Sequence, residues 1–155
     1  YAVGTAPVVG YHHGAGNRGE LKGLLRRSVL LIGGFSAAMC LAGETLGRPL
    51  SVIFVGYDPE LLDMTAHAFA IFSVAFLFSG FAIFGSSFFT ALNDGLTSAL
   101  ISFLRTLVFQ CAAVIIFPIL WGLDGIWWSI VAAEVMAVAV TLAFLTAKRK
   151  KYGYA

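Results

Sequence analysis

The sequence predicts an all-α membrane protein, a polytopic bundle of transmembrane helices. Hydrophobic residues make up 59% of the 155 residues and charged residues only 12%, which is about half the charged share of a soluble domain. The mean hydropathy of +0.89 is correspondingly high. The apolar residues are gathered into long runs, as a bilayer requires, because a hydrocarbon core about 30 Å thick takes roughly 20 helical residues to cross. These observations exclude a soluble globular domain.

The first predicted region, residues 1–27, does not cross the bilayer. The chain begins with Tyr1, and the apolar stretch 1–11 is too short to span. We expect this stretch to be the end of a helix that starts further upstream, so that the sequence is a fragment of a longer protein. The glycine-rich stretch Gly10–Gly19 predicts a cytoplasmic loop. The polar residues that follow, as far as Arg27, predict an amphipathic lead-in to the first span.

The second region, residues 28–147, predicts four full transmembrane helices. Their expected bounds are about 28–46, 65–92, 96–121 and 126–147. Each run is apolar and long enough to cross the hydrocarbon core. Small residues such as those at 33, 34, 37 and 38 favour close contact between the first helix and a neighbour.

Breaker residues mark the connections between the predicted helices. Gly47-Arg48-Pro49 is expected to end the first helix, because proline disfavours helical geometry at the residue before it. Leu50–Val55 is then expected to lie along the interface. Asp58-Pro59-Glu60 is typical of a helix start. Asn93-Asp94-Gly95 and Gly122–Gly125 predict the tight turns that precede the last two helices.

The charged residues divide between the two ends of the bundle and predict its orientation. The basic residues of one end are Arg18, Lys22, Arg26, Arg27 and Lys148–Lys151. The other end has a single basic residue, Arg48, and the acids Asp58, Glu60, Asp63 and Asp124. The positive-inside rule places the first end in the cytoplasm, together with the basic tail 148–155. We therefore expect a multi-pass protein with a cytoplasmic C-terminus.

Two charged residues lie deep inside the predicted spans. Arg105 is about 12 Å from the cytoplasmic face at 1.5 Å per residue, and Glu134 is about 18 Å from it. A guanidinium keeps its charge and needs a partner at that depth. We predict a buried contact between Arg105 and Glu134 that either fixes helix register or acts in gating or ion coupling. Near the outer end, Glu44 and Arg48 are expected to form a surface pair.

The predicted helix 65–92 has two different faces. At 100° per residue, small and hydroxyl-bearing residues form one stripe, and phenylalanines lie opposite. The stripe consists of Ala75, Ser79, Ala82, Ser86 and Thr90. Such residues let helices approach closely or line a wet cavity. The stripe is therefore either a seam between helices or the candidate lining of a substrate cavity.

The sequence offers no set of residues for catalysis or metal binding. Gly14–Gly19 matches the pattern G-x-G-x-x-G, but a dinucleotide site needs a βαβ unit that this sequence lacks. We interpret these glycines as a turn. His12 and His13 lie near the opposite end of the bundle from His67, so the histidines predict no joint metal site. The two cysteines each lie in an apolar run and are expected to pack as small hydrophobes. We expect no enzymatic activity, metal or cofactor.

Several motifs occur along the chain in a specific order and spacing. The first is a loop motif formed by Pro7, Gly10, Gly14, Ala15, Gly16 and Asn17. The second is Gly47–Phe54 followed by Asp58-Pro59-Glu60. The third comprises Ala91–Gly95, Ser102–Arg105, Gly122–Trp127 and Ala133-Glu134. Together they resemble the multidrug and toxic compound extrusion (MATE) family. The first motif resembles the family's link between the second and third helices of a half, the second its outer loop, and the third its closing hairpin.

The resemblance implies part of a twelve-helix antiporter with two six-helix halves. This chain would supply the tail of helix eight and helices nine to twelve, and its partner would be the missing N-terminal half. The family exports cationic and amphipathic drugs in exchange for sodium ions or protons by alternating access, in the plasma (inner) membrane. One subgroup has a cation-binding aspartate midway along helix ten. The corresponding stretch here, around Ser79 and Gly80, has no acid, so we expect the coupling site to lie outside this chain.

Two alternatives remain at this point. A related flippase for lipid-linked sugars shares the architecture and would be favoured by a band of basic residues along the cavity. A non-transporting membrane scaffold would need only the helices. In each case the bilayer is the surroundings and we expect no nucleic-acid partner. We also expect these residues alone not to transport, because a partial half cannot form a two-sided pathway.

Overall fold

The computed structural model describes residues 1–154, and helices account for nearly all of them. In chain order these are α1 (Ala2–Gly14), α2 (Arg18–Val55), α3 (Pro59–Ala91), α4 (Gly95–Phe103), a six-residue π-helix (Leu104–Phe109) and α5 (Gln110–Tyr152). The predicted all-α class is confirmed. A helix satisfies its backbone hydrogen bonds within one segment, which suits a chain that lies in lipid.

Short polar side chains cap the N-termini of α2, α3 and α4. The Asn17 carboxamide oxygen accepts a hydrogen bond from the Glu20 amide at the start of α2, at 3.2 Å. Asp58 accepts from two amides of the first turn of α3, and Pro59 follows it. Asp94 accepts from the Thr97 amide at the start of α4. Each side chain satisfies an amide that lacks a partner within its helix.

Three continuous helical stretches are long and apolar enough to cross a membrane. They are Arg18–Val55, Pro59–Ala91 and Gly95–Tyr152, with 38, 33 and 58 residues. The chain is therefore a multi-pass membrane protein by length and composition. The prediction of four separate spans preceded by a truncated helix is wrong in this respect. The last two predicted spans belong to one helical stretch. Only one residue between them, Gly122, departs from helical geometry.

The chain folds back on itself at Gly122. Its backbone dihedrals are φ 60° and ψ −134°, a conformation that suits glycine because it has no Cβ. Gly125 packs against the backbone carbonyl of Phe117, where a Cβ would overlap the oxygen. Contacts between Arg105 and Glu134 join residues on either side of this bend. The 58-residue stretch is thus a hairpin with two arms.

One predicted interruption is shorter than expected, and another is absent. The expected loop Gly10–Gly19 shrinks to residues 15–17, where Gly16 adopts φ 70°. The expected stop at Gly47-Arg48-Pro49 does not occur, and α2 continues through Pro49 to Val55. Leu50–Val55 is consequently the last part of α2 and not a separate interfacial segment. Ending α2 at Pro49 would remove the helical hydrogen bonds of several residues, whereas Pro49 within the helix removes only one.

Helix α3 lies between α2 on one side and α5 on the other. Small residues bring these helices close together. Gly47 of α2 packs on the Phe69 ring, where a Cβ would lie 2.9 Å from a ring carbon. Gly85 of α3 packs on the side chain of Thr141 in α5. In lipid, where apolar burial gains little, such close packing is the main attraction between helices.

Apolar side chains are divided between a small core and an outer surface. One buried cluster gathers at the end of the bundle that carries the basic residues, and it consists of Val9, Leu21, Phe84, Phe88, Phe89, Leu92, Ile101 and Tyr154. Many other large apolar side chains point outward, including Phe35, Ile53 and Ile119, which are 72%, 74% and 78% exposed. Such exposure is costly in water but not in lipid.

Replacing Gly85 by alanine should separate α3 from α5. The added methyl would overlap the Thr141 methyl, and overpacking of this kind costs about 1–3 kcal/mol. We expect a lower melting temperature in detergent than for Gly34→Ala, since a Cβ at Gly34 has no neighbour within 4 Å.

The double substitution Gly85→Ala with Thr141→Ser provides the matched control. Serine lacks the methyl but keeps the hydroxyl that donates to the Ala137 carbonyl, so much of the lost stability should return. Equal melting temperatures for Gly85→Ala and Gly34→Ala would contradict the packing described here.

Candidate functional site

The structure brings Arg105 and Glu134 together inside the hairpin. The Arg105 Nε donates to both Glu134 carboxylate oxygens at 3.1 and 3.0 Å, and its Nη2 donates to Oε1 at 2.7 Å. The Arg105 side chain is 26% exposed and the Glu134 side chain 9%. The pair is therefore bidentate and largely buried, which is the stronger geometry for an arginine with a carboxylate.

A π-helix positions the guanidinium of this pair. Arg105 lies in the stretch Leu104–Phe109, the only π-helical segment within residues 1–154. A π-helical turn admits an additional residue into the helix and occurs frequently at functional sites. The sequence predicts the pair from depth and adjacency but contains no signal for this change of helix type.

The small-residue stripe of α3 contacts different surroundings along its length. Ala75 and Ala82 are buried, at 4% and 0% exposure. Ser79 lines a cavity of about 220 Å³ between α2 and α3. Ser86 and Thr90 lie against α4. The stripe thus combines close packing with one cavity-lining hydroxyl.

Hydroxyl groups form a cluster between α3 and α4. Ser86 Oγ is 2.9 Å from Ser98 Oγ and 2.8 Å from Ser102 Oγ, and Thr90 Oγ1 is 2.6 Å from Ser98 Oγ. Hydroxyls can act as donors and acceptors, so the four groups satisfy one another. The α4 half of this cluster has no signal in the sequence, because the hydroxyls meet only once the turn at Asn93–Gly95 has aligned the two helices.

A second cavity, of about 750 Å³, lies along the hairpin. Its lining is Phe117, Trp121, Asp124, Trp128, Val131, Ala132, Val135 and Met136. These residues are aromatic or apolar with one exception, Asp124, which carries a carboxylate. The volume of the cavity is within the range of small-molecule sites. Asp124 Oδ1 also lies 3.2 Å from His67 Nε2. An apolar cavity with a single carboxylate suits an amphipathic cation.

A polar network at the basic end was not predicted from the sequence. Lys148 Nζ donates to Asp94 Oδ2 at 2.6 Å and to the Thr97 hydroxyl, and Tyr152 OH donates to the same carboxylate oxygen at 2.8 Å. The network ties the end of α5 to the turn before α4. The capping position of Asp94 is visible in the sequence, but its distant partners are not.

Asp94 is held ionised by this network. Burial by itself would raise the pKa of the Asp94 carboxyl, but the hydrogen bonds from Lys148, Tyr152 and Thr97 outweigh that effect, and the pKa lies well below its ordinary value. The carboxylate therefore balances the Lys148 ammonium at neutral pH.

The residues of the predicted loop motif lie on both sides of the α1–α2 turn. Pro7, Gly10 and Gly14 belong to α1, while Ala15, Gly16 and Asn17 form the turn and the cap of α2. A Cβ at Gly10 would lie 3.4 Å from the Ala91 carbonyl oxygen, so this glycine marks close contact between α1 and α3.

The outer end is organised by pairs other than the predicted one. Arg48 contacts Asp63 at 3.3 Å, with both side chains about 70% exposed. Glu44 instead accepts a hydrogen bond from Ser73 at 2.7 Å. The expected Glu44–Arg48 pair is thus wrong, because α3 offers both residues better partners. Among residues 1–154, no group of three or more His, Cys, Asp or Glu side chains could hold a metal ion.

Removing one partner of the Arg105–Glu134 pair should destabilise the protein strongly. We expect Glu134→Leu to cost about 3–5 kcal/mol, since it leaves a buried charge without a counter-charge. The double substitution Arg105→Met with Glu134→Leu should cost less than Glu134→Leu alone, because no unpaired charge remains. Chemical denaturation in detergent measures both.

The exposed pair at the outer end supplies the control. Asp63→Asn should change stability by about 0–1 kcal/mol, as for other solvent-exposed pairs. If Arg105→Met with Glu134→Leu lowers stability as much as Glu134→Leu alone, the loss does not arise from the unpaired Arg105 guanidinium.

Comparison with known proteins places the chain in a family. The family model described as MatE matches residues 1–117. Multidrug export protein MepA from three strains of Staphylococcus aureus is 22% identical over 131 residues in each case, covering 84% of this chain and 28% of the relative. The chain thus spans little more than a quarter of the length of these curated relatives. No solved structure matches it significantly. The match over most of the chain confirms the resemblance seen in the motifs, and the chain belongs to the MatE family.

Proposed function

We propose that this chain is part of the C-terminal half of a secondary multidrug efflux transporter. In this proposal the transporter exports cationic or amphipathic compounds in exchange for sodium ions or protons by alternating access. The observation that carries the proposal is the family match over residues 1–117. The name of the relatives, a multidrug export protein, agrees with it.

The proposed topology has four membrane crossings. Helices α2 and α3 supply two, and the arms of the hairpin that bends at Gly122 supply the other two. A stretch of 58 residues would be about 87 Å long as a straight helix, far more than one crossing needs. The basic end of the bundle, with Arg18 and Lys148, would lie in the cytoplasm by the positive-inside rule.

The chemistry of the larger cavity supports a cationic substrate. Its lining combines aromatic and aliphatic surface with the Asp124 carboxylate and includes no lysine, arginine or histidine among the described residues. Tryptophan and phenylalanine rings such as Trp121, Trp128 and Phe117 attract cations through their faces. A flippase for an anionic sugar lipid would need the opposite charge here.

The remaining predicted site residues receive narrower roles in this proposal. Arg105 and Glu134 hold the two arms of the hairpin in register. Ser79 faces the pathway through the smaller cavity, while Ala75 and Ala82 serve helix packing. The coupling ion would bind in the other half of the transporter, which is also the partner that completes the pathway. No residue of this chain is assigned a catalytic role.

Substituting Asp124→Asn should weaken export of a cationic dye. Attraction between a monocation and one carboxylate in a partly solvated site is worth on the order of 1 kcal/mol, which is about fivefold in affinity. We expect the KM for ethidium efflux to rise about fivefold in cells expressing the gene product that contains this segment.

Asp63→Asn is the matched control, because it removes one acid from the same end without altering the cavity lining. It should leave the KM unchanged. Absence of drug efflux from the wild-type gene product would favour a flippase or a scaffold. Efflux by residues 1–155 alone would overturn the need for a partner half.

The topology predicts which end reacts with membrane-impermeant reagents. In a variant lacking Cys40 and Cys111, we expect Asp58→Cys to react with an impermeant maleimide in intact cells. Lys150→Cys should react only after the membrane is permeabilised. The reverse order would invert the proposed orientation, and labelling of both without permeabilisation would contradict an odd number of crossings between them.

A further inference from the structure

A small cleft at the basic end of the bundle is lined by groups that attract anions. It lies between the end of α1, the start of α2 and the end of α5, and it encloses about 130 Å³. Its polar lining consists of His12, His13, Arg18, Lys151 and Tyr152. No acidic side chain lines it within the described part of the chain. Since each water occupies about 30 Å³, the cleft has room for a small oxyanion.

The cationic groups of the cleft form no ion pair within the described residues 1–154. Ion pairs within residues 1–154 involve Arg48, His67, Arg105 and Lys148, and none includes Arg18 or Lys151. Asp94, the acid of the neighbouring network, is already bonded to Lys148, Thr97 and Tyr152. The described lining of the cleft therefore carries net positive charge, from Arg18 and Lys151.

Several of the lining groups contact other parts of the protein. The Lys151 ammonium lies 4.9 Å from the centre of the Tyr152 ring, and the His13 ring meets the same tyrosine edge-on at 5.6 Å. The Tyr152 hydroxyl is itself fixed by its bond to Asp94. Arg18 packs its stem against Gly153, whose φ of 68° ends α5. These contacts reduce the freedom that the lining side chains would lose when a ligand binds.

One buried polar atom of the cleft residues lacks a partner. The Nδ1 atom of His12 is buried and makes no hydrogen bond within the described residues. Unsatisfied buried polar atoms are costly and rare, and each calls for an explanation such as a missing ligand. An oxyanion would provide the acceptor that a protonated Nδ1 requires.

We propose that this cleft binds a phosphate group. Arginine matches phosphate oxygens in a bidentate way, and lysine and histidine add charge-assisted donors. The cleft lies where the helices reach the membrane surface, next to the basic first turns of α2. The phosphate can therefore belong to an anionic phospholipid headgroup or to free inorganic phosphate. The proposal does not depend on drug transport.

The test is a binding titration of the purified chain in neutral detergent. Native mass spectrometry with phosphatidylglycerol, with phosphatidylcholine as the comparator, measures lipid binding. Melting in the presence of inorganic phosphate measures the free anion. Losing two charge-assisted hydrogen bonds should weaken binding about tenfold or more, so we expect that loss for Arg18→Gln with Lys151→Gln.

The matched control is Lys22→Gln with Lys150→Gln, which removes the same charge from exposed positions outside the cleft. It should keep the wild-type affinity. Melting without ligand checks that each variant is folded. If the Arg18→Gln with Lys151→Gln variant is not folded, the single variants Lys151→Gln and Lys150→Gln are compared in the same binding test.

Preferential binding of phosphatidylglycerol identifies a lipid headgroup, and stabilisation by inorganic phosphate identifies a free anion. Either result supports the site if only the cleft variant loses it. Equal losses in the cleft and control variants, or no preference for either anion, would overturn the proposal.

Discussion

The scarcity of water inside a bilayer is the constraint on which the rest of this structure depends. A guanidinium in that setting needs a carboxylate within hydrogen-bond distance. The contacts of Arg105 with Glu134, at 2.7 to 3.1 Å, meet this demand. They also fix how the two arms of the hairpin lie against each other.

Close approach of the helices follows from the same setting. Lipid provides little hydrophobic drive for one apolar helix to bind another, so attraction comes from backbone proximity and from hydroxyl pairs. The contact of Gly85 with Thr141 joins α3 to α5. The Ser86–Ser98 hydroxyl pair joins α3 to α4. Helix α3 becomes the centre of the bundle because its small residues allow contact on more than one side.

The two ends of the bundle have opposite chemistry. One end presents the aromatic cavity with Asp124 and suits a cation. The other end presents the phosphate cleft, defined by Arg18 and Lys151, and suits an anion. A phosphate-bearing headgroup in that cleft would connect α1, α2 and α5 at the membrane surface. This would stabilise the end of the bundle at which the hydrogen bonds of Asp94 with Lys148 and Tyr152 already join α5 to α4.

The sequence by itself determined the membrane class, the helix starts at Asp58 and Asp94, and the turn at Gly122. These features depend on composition, on capping chemistry and on backbone freedom, all of which are local. It also indicated that Arg105 needs an acid, because depth can be counted along a helix. Tertiary structure decided which hydroxyls meet, that Arg48 pairs with Asp63 and not with its helical neighbour Glu44, and that Lys148 reaches Asp94. Those partners are distant in the chain, and only the packing angle and register of whole helices bring their side chains within hydrogen-bond range.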